Sequence, residues 1–366
     1  MVEYIIRRIL LAIPTLFVIT FLSFAISRLA PGDPAELKVG MGQGQQFQSA
    51  GKGRDLTDEM IKLYHKKWNL DKPLFYFTII DKYDEENPVS FFKRLTLRWN
   101  GTKSQYHIWT ADIIRLDFGN SIFTGQPVID KIKETIPVTI TLNLISTFLA
   151  YLIAIPLGIY SAIRPHSLWD RISTVGVFVL YSLPNFWIGM LMIIFFGGGD
   201  FLHWFPNSGL VSNDHETMTS FGKFLDYLWH LILPIAIYTY GSFAYLSRQM
   251  RVGMLEVIKQ DYIRTARAKG LSEKTVVLKH ALRNSLIPII TILAYLLPAM
   301  IGGSVIVETI FSINGMGSLS FHAITARDYP IIMAVFTISA ILTLIGMLIA
   351  DILYVLVDPR ITFDKR

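Results

Sequence analysis

Apolar positions in this chain come in long unbroken blocks rather than in the short periodic runs of a soluble fold. Six windows free of Asp, Glu, Lys and Arg run from Ile9 to Ser27, Thr135 to Ile163, Ile172 to Gly199, Tyr227 to Ser247, Asn284 to Val307 and Tyr329 to Ala350. A helix needs about 20 apolar residues to cross the hydrocarbon core of a bilayer, and each window is long enough to span. The pattern therefore predicts an all-α integral membrane protein with six transmembrane helices. Pro14, Pro156, Pro184, Pro234 and Pro298 fall inside the windows, and kinked helices are expected, because neighbouring helices or water can meet the freed carbonyls.

Between the blocks two polar stretches stand out. Pro31 to Glu134 has mixed charge and contains the tract "GMGQGQQFQSAGKGR" with amphipathic pieces "MIKLYHKKWNL" and "PVIDKIKETI". The division predicted is residues 1–30 for the amino terminus and first helix, 31–134 for an inserted subdomain with a mobile tip near Gly40 to Gly53, and 135–366 for the core. A cap over the bundle is the preferred reading of the subdomain, with docking of a substrate protein as the alternative. The second stretch, 248–285, is basic. Leu255, Ile258, Tyr262, Ile263 and Ala266 form one apolar stripe at helical spacing, with Lys259, Arg264 and Lys269 off it. Gly270 is a helix stop and Ser272 a helix start, and Val276, Val277, His280 and Ala281 form a second stripe. The segment predicts helix, turn and helix.

Composition agrees with a lipid environment: 52% of the 366 residues are hydrophobic and 17% charged, with a mean hydropathy of +0.44. The first window resembles a signal peptide in length, but no small-residue cleavage site precedes "APGDP" and five more windows follow, so a retained helix is expected. In a soluble protein a net charge of +6 would suggest nucleic acid; here its placement matters more, and no nucleic-acid partner is expected. Short Lys- and Arg-rich loops stay cytoplasmic. Arg7 and Arg8, Arg164 and Arg171, and Arg360, Lys365 and Arg366 place both termini and the second-to-third connection inside, together with the basic 248–285 loop. The 31–134 subdomain and the acidic 197–227 connection then face outward.

Several functions are excluded by what is missing. No G-x-x-x-x-G-K-[ST] occurs, since Gly follows Lys52 in "AGKG". No H-E-x-x-H or G-x-S-x-G is present, the eight histidines lack metal-ligand spacing, and with no cysteine there is no disulfide or thiolate site. No catalytic residue, metal or cofactor is expected on this chain. Ion-driven carriers place ionisable residues at mid-membrane, and these windows have none. Asp351 reads as a structural interhelical bond in preference to a proton carrier. An energy source on a partner is implied, with an autonomous carrier or channel, or a structural subunit, as the rival readings.

Asp261 to Pro288, "DYIRTARAKGLSEKTVVLKHALRNSLIP", resembles the cytoplasmic loop signature of permease subunits of ATP-binding-cassette importers, E-A-A, three residues, G, nine residues, I-x-L-P. Arg264, Thr265 and Ala266 fall on E-A-A, Gly270 on the glycine, and His280 to Arg283 on I-x-L-P; Ala266, Gly270 and Leu282 match. The departures resemble the dipeptide and oligopeptide branch. So do "RRILLAIPTL", "APGDP", "LDFGNSIFTGQPV", "SLPNFWIG", "VETIFSINGMG", "ARDYP" and "LVDPRI", which leave only the tract around Gly40 to Asn100 uncovered. "DYLWHLILP" and the long external loop are similar to the longer microcin C and oligopeptide type.

The resemblance implies a type I importer permease in the cell (inner) membrane, working with a second, non-identical permease, two ATPase subunits that hold ATP and Mg, and an external solute-binding protein; membrane lipid surrounds it. The helix around Thr265 to Thr275 is then the coupling helix, with Arg264, Thr265, Ala266, Arg267, Lys269, Gly270, Leu271, Ser272 and Glu273 docking on the ATPase; anionic lipid headgroups are the alternative partner for this basic loop. Tyr181, Ser182, Asn185, Tyr238, Tyr240, Ser242 and Tyr295 are candidates for lining the path, with ordinary helix packing as the alternative. Glu308, Asn314, Gly315 and Gly317 are candidates for an outer gate or binding-protein contact, with loop packing as the alternative. Di- or oligopeptides are the implied solute; nickel complexes and oligosaccharides are alternatives within the branch.

Overall fold

The structure is a computed structural model that describes residues 2–29, 32–42, 52–81, 95–198, 201–294 and 302–357. In chain order it contains α1 (Val2–Leu29), α2 (Pro34–Gly42), α3 (Lys52–Lys67), strands β1 (Phe77–Asp81) and β2 (Leu95–Trp99), α4 (Gln105–Ile114), α5 (Val128–Ile163), α6 (Leu168–Ser182), α7 (Asn185–Phe196), α8 (Ser220–Ile258), α9 (Asp261–Ala268), α10 (Ile287–Ala294), α11 (Val305–Ile310), α12 (Met316–Ala326) and α13 (Tyr329–Val357). The protein is predominantly helical. The all-α reading holds for the fold as a whole, and one short strand pair adds to it: β1 and β2 pair antiparallel from Phe77 opposite Trp99 to Asp81 opposite Leu95. Their alternation puts Phe77 and Ile79 on the same face as Leu97 and Trp99, a short period-2 signal hidden inside a mixed-charge stretch.

Among the described residues, three helices are long and apolar enough to cross a membrane, within α1, α5 and α13, and α6 with α7 makes a fourth if that bent pair is one span. The fourth window lies inside α8, which is 39 residues long. The fifth begins in the helical stretch before α10, and residues 295–301 of it lie outside the described residues, as does Pro298. Pro14, Pro156 and Pro234 sit within continuous helices. Pro184 instead marks a full break: α6 and α7 meet at 97°. Leu183, preceding the proline, is extended at φ −87°, ψ 131°, because the proline ring disfavours helical geometry in the residue before it.

The chain divides into two compact units. The first comprises residues 1–13, 133–321 and 339–366. One of its cores joins Ala150, Ala154 and Ala162 of α5 to Leu246, Met250 and Met254 of α8 and to Ile263, Ala266, Val276, Val277 and Ala281 of the basic loop. Small residues allow these helices to approach closely: a Cβ on Gly158 would lie 2.6 Å from Met250 Cβ, and one on Gly253 3.2 Å from the Ser285 carbonyl oxygen. Asp351 accepts hydrogen bonds from the Tyr4 hydroxyl at 2.8 Å and Arg8 Nε at 2.9 Å, an interhelical tie that occupies this carboxylate.

The second unit comprises residues 14–132 and 322–338, so the compact body that holds the inserted subdomain also takes in parts of α1 and α13. Its core packs Phe24, Tyr106, Ile122, Tyr329 and Met333. Three sequence motifs converge in it. Asp328 of "ARDYP" is buried and accepts from the Ser121 hydroxyl at 2.5 Å and the Ile122 amide at 3.1 Å of "GNSIFTGQP". Arg327 lies over Gly32 of "APGDP", where a Cβ would fall 1.4 Å from its Nη1. Residues 43–51 of the glutamine-rich tract lie outside the described residues.

Candidate functional site

The basic loop of the first unit folds as a helix, a turn and a second helical stretch. Helix α9 ends in a Schellman arrangement: the Leu271 amide donates to the Ala266 carbonyl at 3.4 Å and the Gly270 amide to the Arg267 carbonyl at 2.9 Å. That closure requires the left-handed region at the intervening residue, and Gly270 sits at φ +79°. The Ser272 hydroxyl then accepts from the Thr275 amide at 3.4 Å, starting Glu273–Thr275, which continues through a π-helical segment Val276–Ala281 into Leu282–Ser285. The single coupling helix expected over Thr265 to Thr275 is therefore corrected to two pieces, because a residue in left-handed conformation cannot continue a right-handed helix.

One face of this element is buried and the other free. Ile263, Ala266, Val276, Val277 and Ala281 enter the core, whereas Arg264, Thr265, Arg267 and every residue from Ala268 to Lys274 are exposed. His280, expected on the second stripe, is half-buried. Across the turn Arg267 grips Glu273 with two hydrogen bonds, Nε to Oε2 at 3.0 Å and Nη2 to Oε1 at 2.6 Å, and those bonds hold the Glu273 carboxyl below the usual glutamate range. Among the described residues Arg264 pairs with Asp261 alone, at 3.5 Å. The vertex is thus a braced knob with Leu271 as its apolar tip and Arg264 and Lys269 beside it.

A tie not foreseen from the sequence joins α8 to α6. Arg251 of α8 donates from Nε and Nη2 to the two carboxylate oxygens of Asp170 on α6, each at 2.9 Å, and Asp170 also accepts from the His166 amide at 2.9 Å. Arg251 counts among the basic residues of the loop and Asp170 follows Ser167, a helix-start signal, but nothing in either stretch pairs them. Arg251 lines a groove of about 810 Å³ along α5, α6 and α8, with Ser161, Ser173, Thr174 and Gln249 as further polar lining and Tyr181 on its wall.

The path candidates divide by what their side chains do. Tyr181, Ser182 and Asn185 are exposed at the 97° bend. Tyr240 is committed to packing: its hydroxyl donates to the Leu180 carbonyl at 2.7 Å and to that of Leu183, which the break leaves short of helical donors. Asn185 lies against α8, where a Cβ on Gly241 would come 3.0 Å from its Nδ2. Tyr238 packs against the core around Leu142 and Phe311, Ser242 bonds back to the Tyr238 carbonyl at 3.5 Å, and Tyr295 lies outside the described residues.

Around α11 the residues expected at an outer gate or binding-protein contact come together. Glu308 is 0% exposed; its carboxylate accepts from the Ser318 amide at 2.6 Å, the Ser304 amide at 3.2 Å and the Thr139 hydroxyl at 3.4 Å. Gly315 and Gly317 do not adopt positive φ. They are small because the space is taken: a Cβ on Gly315 would lie 2.5 Å from Glu308 Cδ, and one on Gly317 2.6 Å from the Val305 amide nitrogen. Glu308 holds this hairpin from within, and Asn314 is the exposed member of the set.

A family model described as binding-protein-dependent transport system inner membrane component matches residues 154–363. The oligopeptide transport system permease protein AppB of Bacillus subtilis (strain 168) is 40% identical over 99% of this chain and 100% of its own. The inner membrane ABC transporter permease protein YejB of Escherichia coli O157:H7 is 35% identical over 99% of each chain. The di/tripeptide transport system permease protein DppB of Pseudomonas aeruginosa (strain UCBPP-PA14) is 34% identical over the full length of both.

Proposed function

We infer the function of this chain from its family: it belongs to the inner membrane components of binding-protein-dependent transport systems, and we propose that it is the permease subunit of an ATP-driven importer of di- or oligopeptides. The relatives' names supply the peptide. Nickel complexes and oligosaccharides have no such support. ATP hydrolysis resides on partner ATPases, two of them, and a second, non-identical permease completes the path; an external binding protein delivers the solute. Both termini are cytoplasmic.

The observation that carries the coupling role is the exposed vertex at Gly270, whose buried flanks are continuous with the core of α5 and α8. A rigid knob seated in a partner's cleft transmits a rigid-body displacement to the helices it packs on. Leu271 supplies apolar contact, Arg264 and Lys269 supply charge, and the Arg267 to Glu273 brace keeps the turn from collapsing. Gly270→Pro demands φ near −65° where the chain needs +79°, so the variant should insert in the membrane yet lose the ATPases on affinity purification. Gly270→Ala meets no atom within 4 Å and should keep them, at a cost of about 1 kcal/mol in the turn. Full ATPase recovery with the proline variant would remove the coupling assignment.

A further inference from the structure

Within the unit formed by residues 14–132 and 322–338, a cavity of about 270 Å³ is lined by Arg28, Lys67, Trp68, Trp109, Asp112 and Asp117 among others. Arg28 projects from the last turn of α1, its guanidinium carbon 5.6 Å from the ring centroids of both Phe24 and Tyr329. Aromatic faces attract a cation without neutralising it. Among the described residues its buried Nε has no hydrogen-bond partner and no carboxylate lies within 4.0 Å of the guanidinium. The same cavity holds Asp112, whose carboxylate makes no hydrogen bond or ion pair among the described residues. Burial raises the Asp112 carboxyl above the usual range, and Asp117 beside it adds to the rise, against a smaller opposing pull from Arg115. Gln105, 5% exposed, brings a further unsatisfied acceptor, its Oε1.

A cation and an anion thus share one partly desolvated space and do not pair with each other. Each charge held without a partner is costly, and one ligand that carries the complementary pair offsets both costs together. We propose that this cavity binds a small zwitterion, with the anionic oxygen group of the ligand on Arg28 and its ammonium on Asp112. Lys67 and Asp117 reinforce the two signs, and Trp68 and Trp109 provide apolar walls. The volume lies just below the usual range for ligand pockets, about 300–1,000 Å³. It suits a short free peptide or the glycerophosphoethanolamine part of a lipid, which share this chemistry. Such a site stands apart from the importer reading, since it needs neither the ATPases nor the binding protein.

The test is calorimetric titration of the full chain with its co-purifying subunits in maltoside micelles, without ATP or the binding protein. The probes are trialanine, N-acetyl-trialanine, trialanine amide and glycerophosphoethanolamine. Saturable binding of trialanine assigns the peptide source and saturable binding of glycerophosphoethanolamine the lipid source; either supports the site when the variants behave as follows. Blocking either terminus of trialanine should weaken it at least tenfold. Arg28→Gln should abolish the distinction between trialanine and its amide while keeping the penalty for acetylation. Asp112→Asn, an isosteric change at a half-buried position, should do the reverse. With glycerophosphoethanolamine each variant should weaken binding at least tenfold. Absence of saturable binding by both zwitterions, equal binding of the blocked forms, or variants that leave affinity and discrimination unchanged would overturn the proposal. ATP-driven peptide uptake with the binding protein present tests the importer reading separately.

Discussion

At Gly270 the backbone lies at φ +79° with open space where a Cβ would go, whereas at Gly315 the backbone is ordinary and the space is filled by the Glu308 carboxylate. The two positions therefore respond differently to the same substitution. Gly315→Ala forces a fully buried, triply hydrogen-bonded carboxylate to move, and overpacking of this kind typically costs about 1–3 kcal/mol. Gly176→Ala, on α6 with nothing within 4 Å, should be neutral or stabilising by up to about 1 kcal/mol. Thermal unfolding of both variants in micelles checks the contrast, and equal midpoints would contradict the packed hairpin. Asp226 offers a pH test. Its side chain is 7% exposed; burial alone would raise its pKa, but bonds from the Ser212 hydroxyl and amide and from His215 outweigh that and hold it at about 2. A carboxyl whose pKa is lower folded than unfolded stabilises the fold above its unfolded value near 4 and loses that contribution as pH falls through the folded value. Wild-type midpoints should accordingly drop between about pH 4 and 2, and Asp226→Asn should flatten that part of the profile.

Single tie points make elements act together. The Arg251 to Asp170 pair links α8 to the start of α6, with side chains 28% and 5% exposed. Removing one partner of a buried pair leaves an uncompensated charge and costs about 3–5 kcal/mol. Arg251→Met should therefore destabilise strongly, and adding Asp170→Asn should restore part of the loss. A double variant no more stable than the single one would mean that the pair is not coupled. The bend between α6 and α7 follows the same logic of shared duty: Pro184 interrupts the helix and the Tyr240 hydroxyl, on α8, shares its one proton between the Leu180 and Leu183 carbonyls at the break. The π-helical segment Val276–Ala281 sits where the knob turns into the core. Such wide turns recur at functional sites.

For the whole molecule, orientation is the quantity that the coupling and delivery roles both require. The proposed orientation rests on basic residues in short loops, which favour the cytoplasm for the amino terminus, the 164–171 connection and the 248–285 loop and so the outside for the 31–134 stretch. A reporter fused after Lys52 should read as external, and a cytoplasmic signal would invert the assignment of the knob to the ATPase side. Affinity purification of the chain from its own cells should bring down ATPases and a second permease. Recovery of this chain alone, under conditions that preserve known complexes, would favour an autonomous carrier.

Local preference and transfer cost sufficed to read the lipid environment, the long helices, and the helix, turn and helix centred on Gly270, because these depend on window length, on periodicity and on what one residue's backbone can adopt. The strand pair escaped, since five-residue strands in a mixed-charge stretch carry little periodic signal. What only the tertiary structure decided is which distant groups meet. Thr139 and Glu308 are 169 positions apart, and Asp170 and Arg251 are 81 apart. Tyr240, a plausible path residue by type, proves to be a donor to a broken helix, and Gly315 and Gly317, plausible turn formers, prove to be places where a carboxylate and a backbone come too close for a Cβ. Such roles arise from packing across the fold, where a residue's neighbours in space, not its neighbours in sequence, set what its side chain is for.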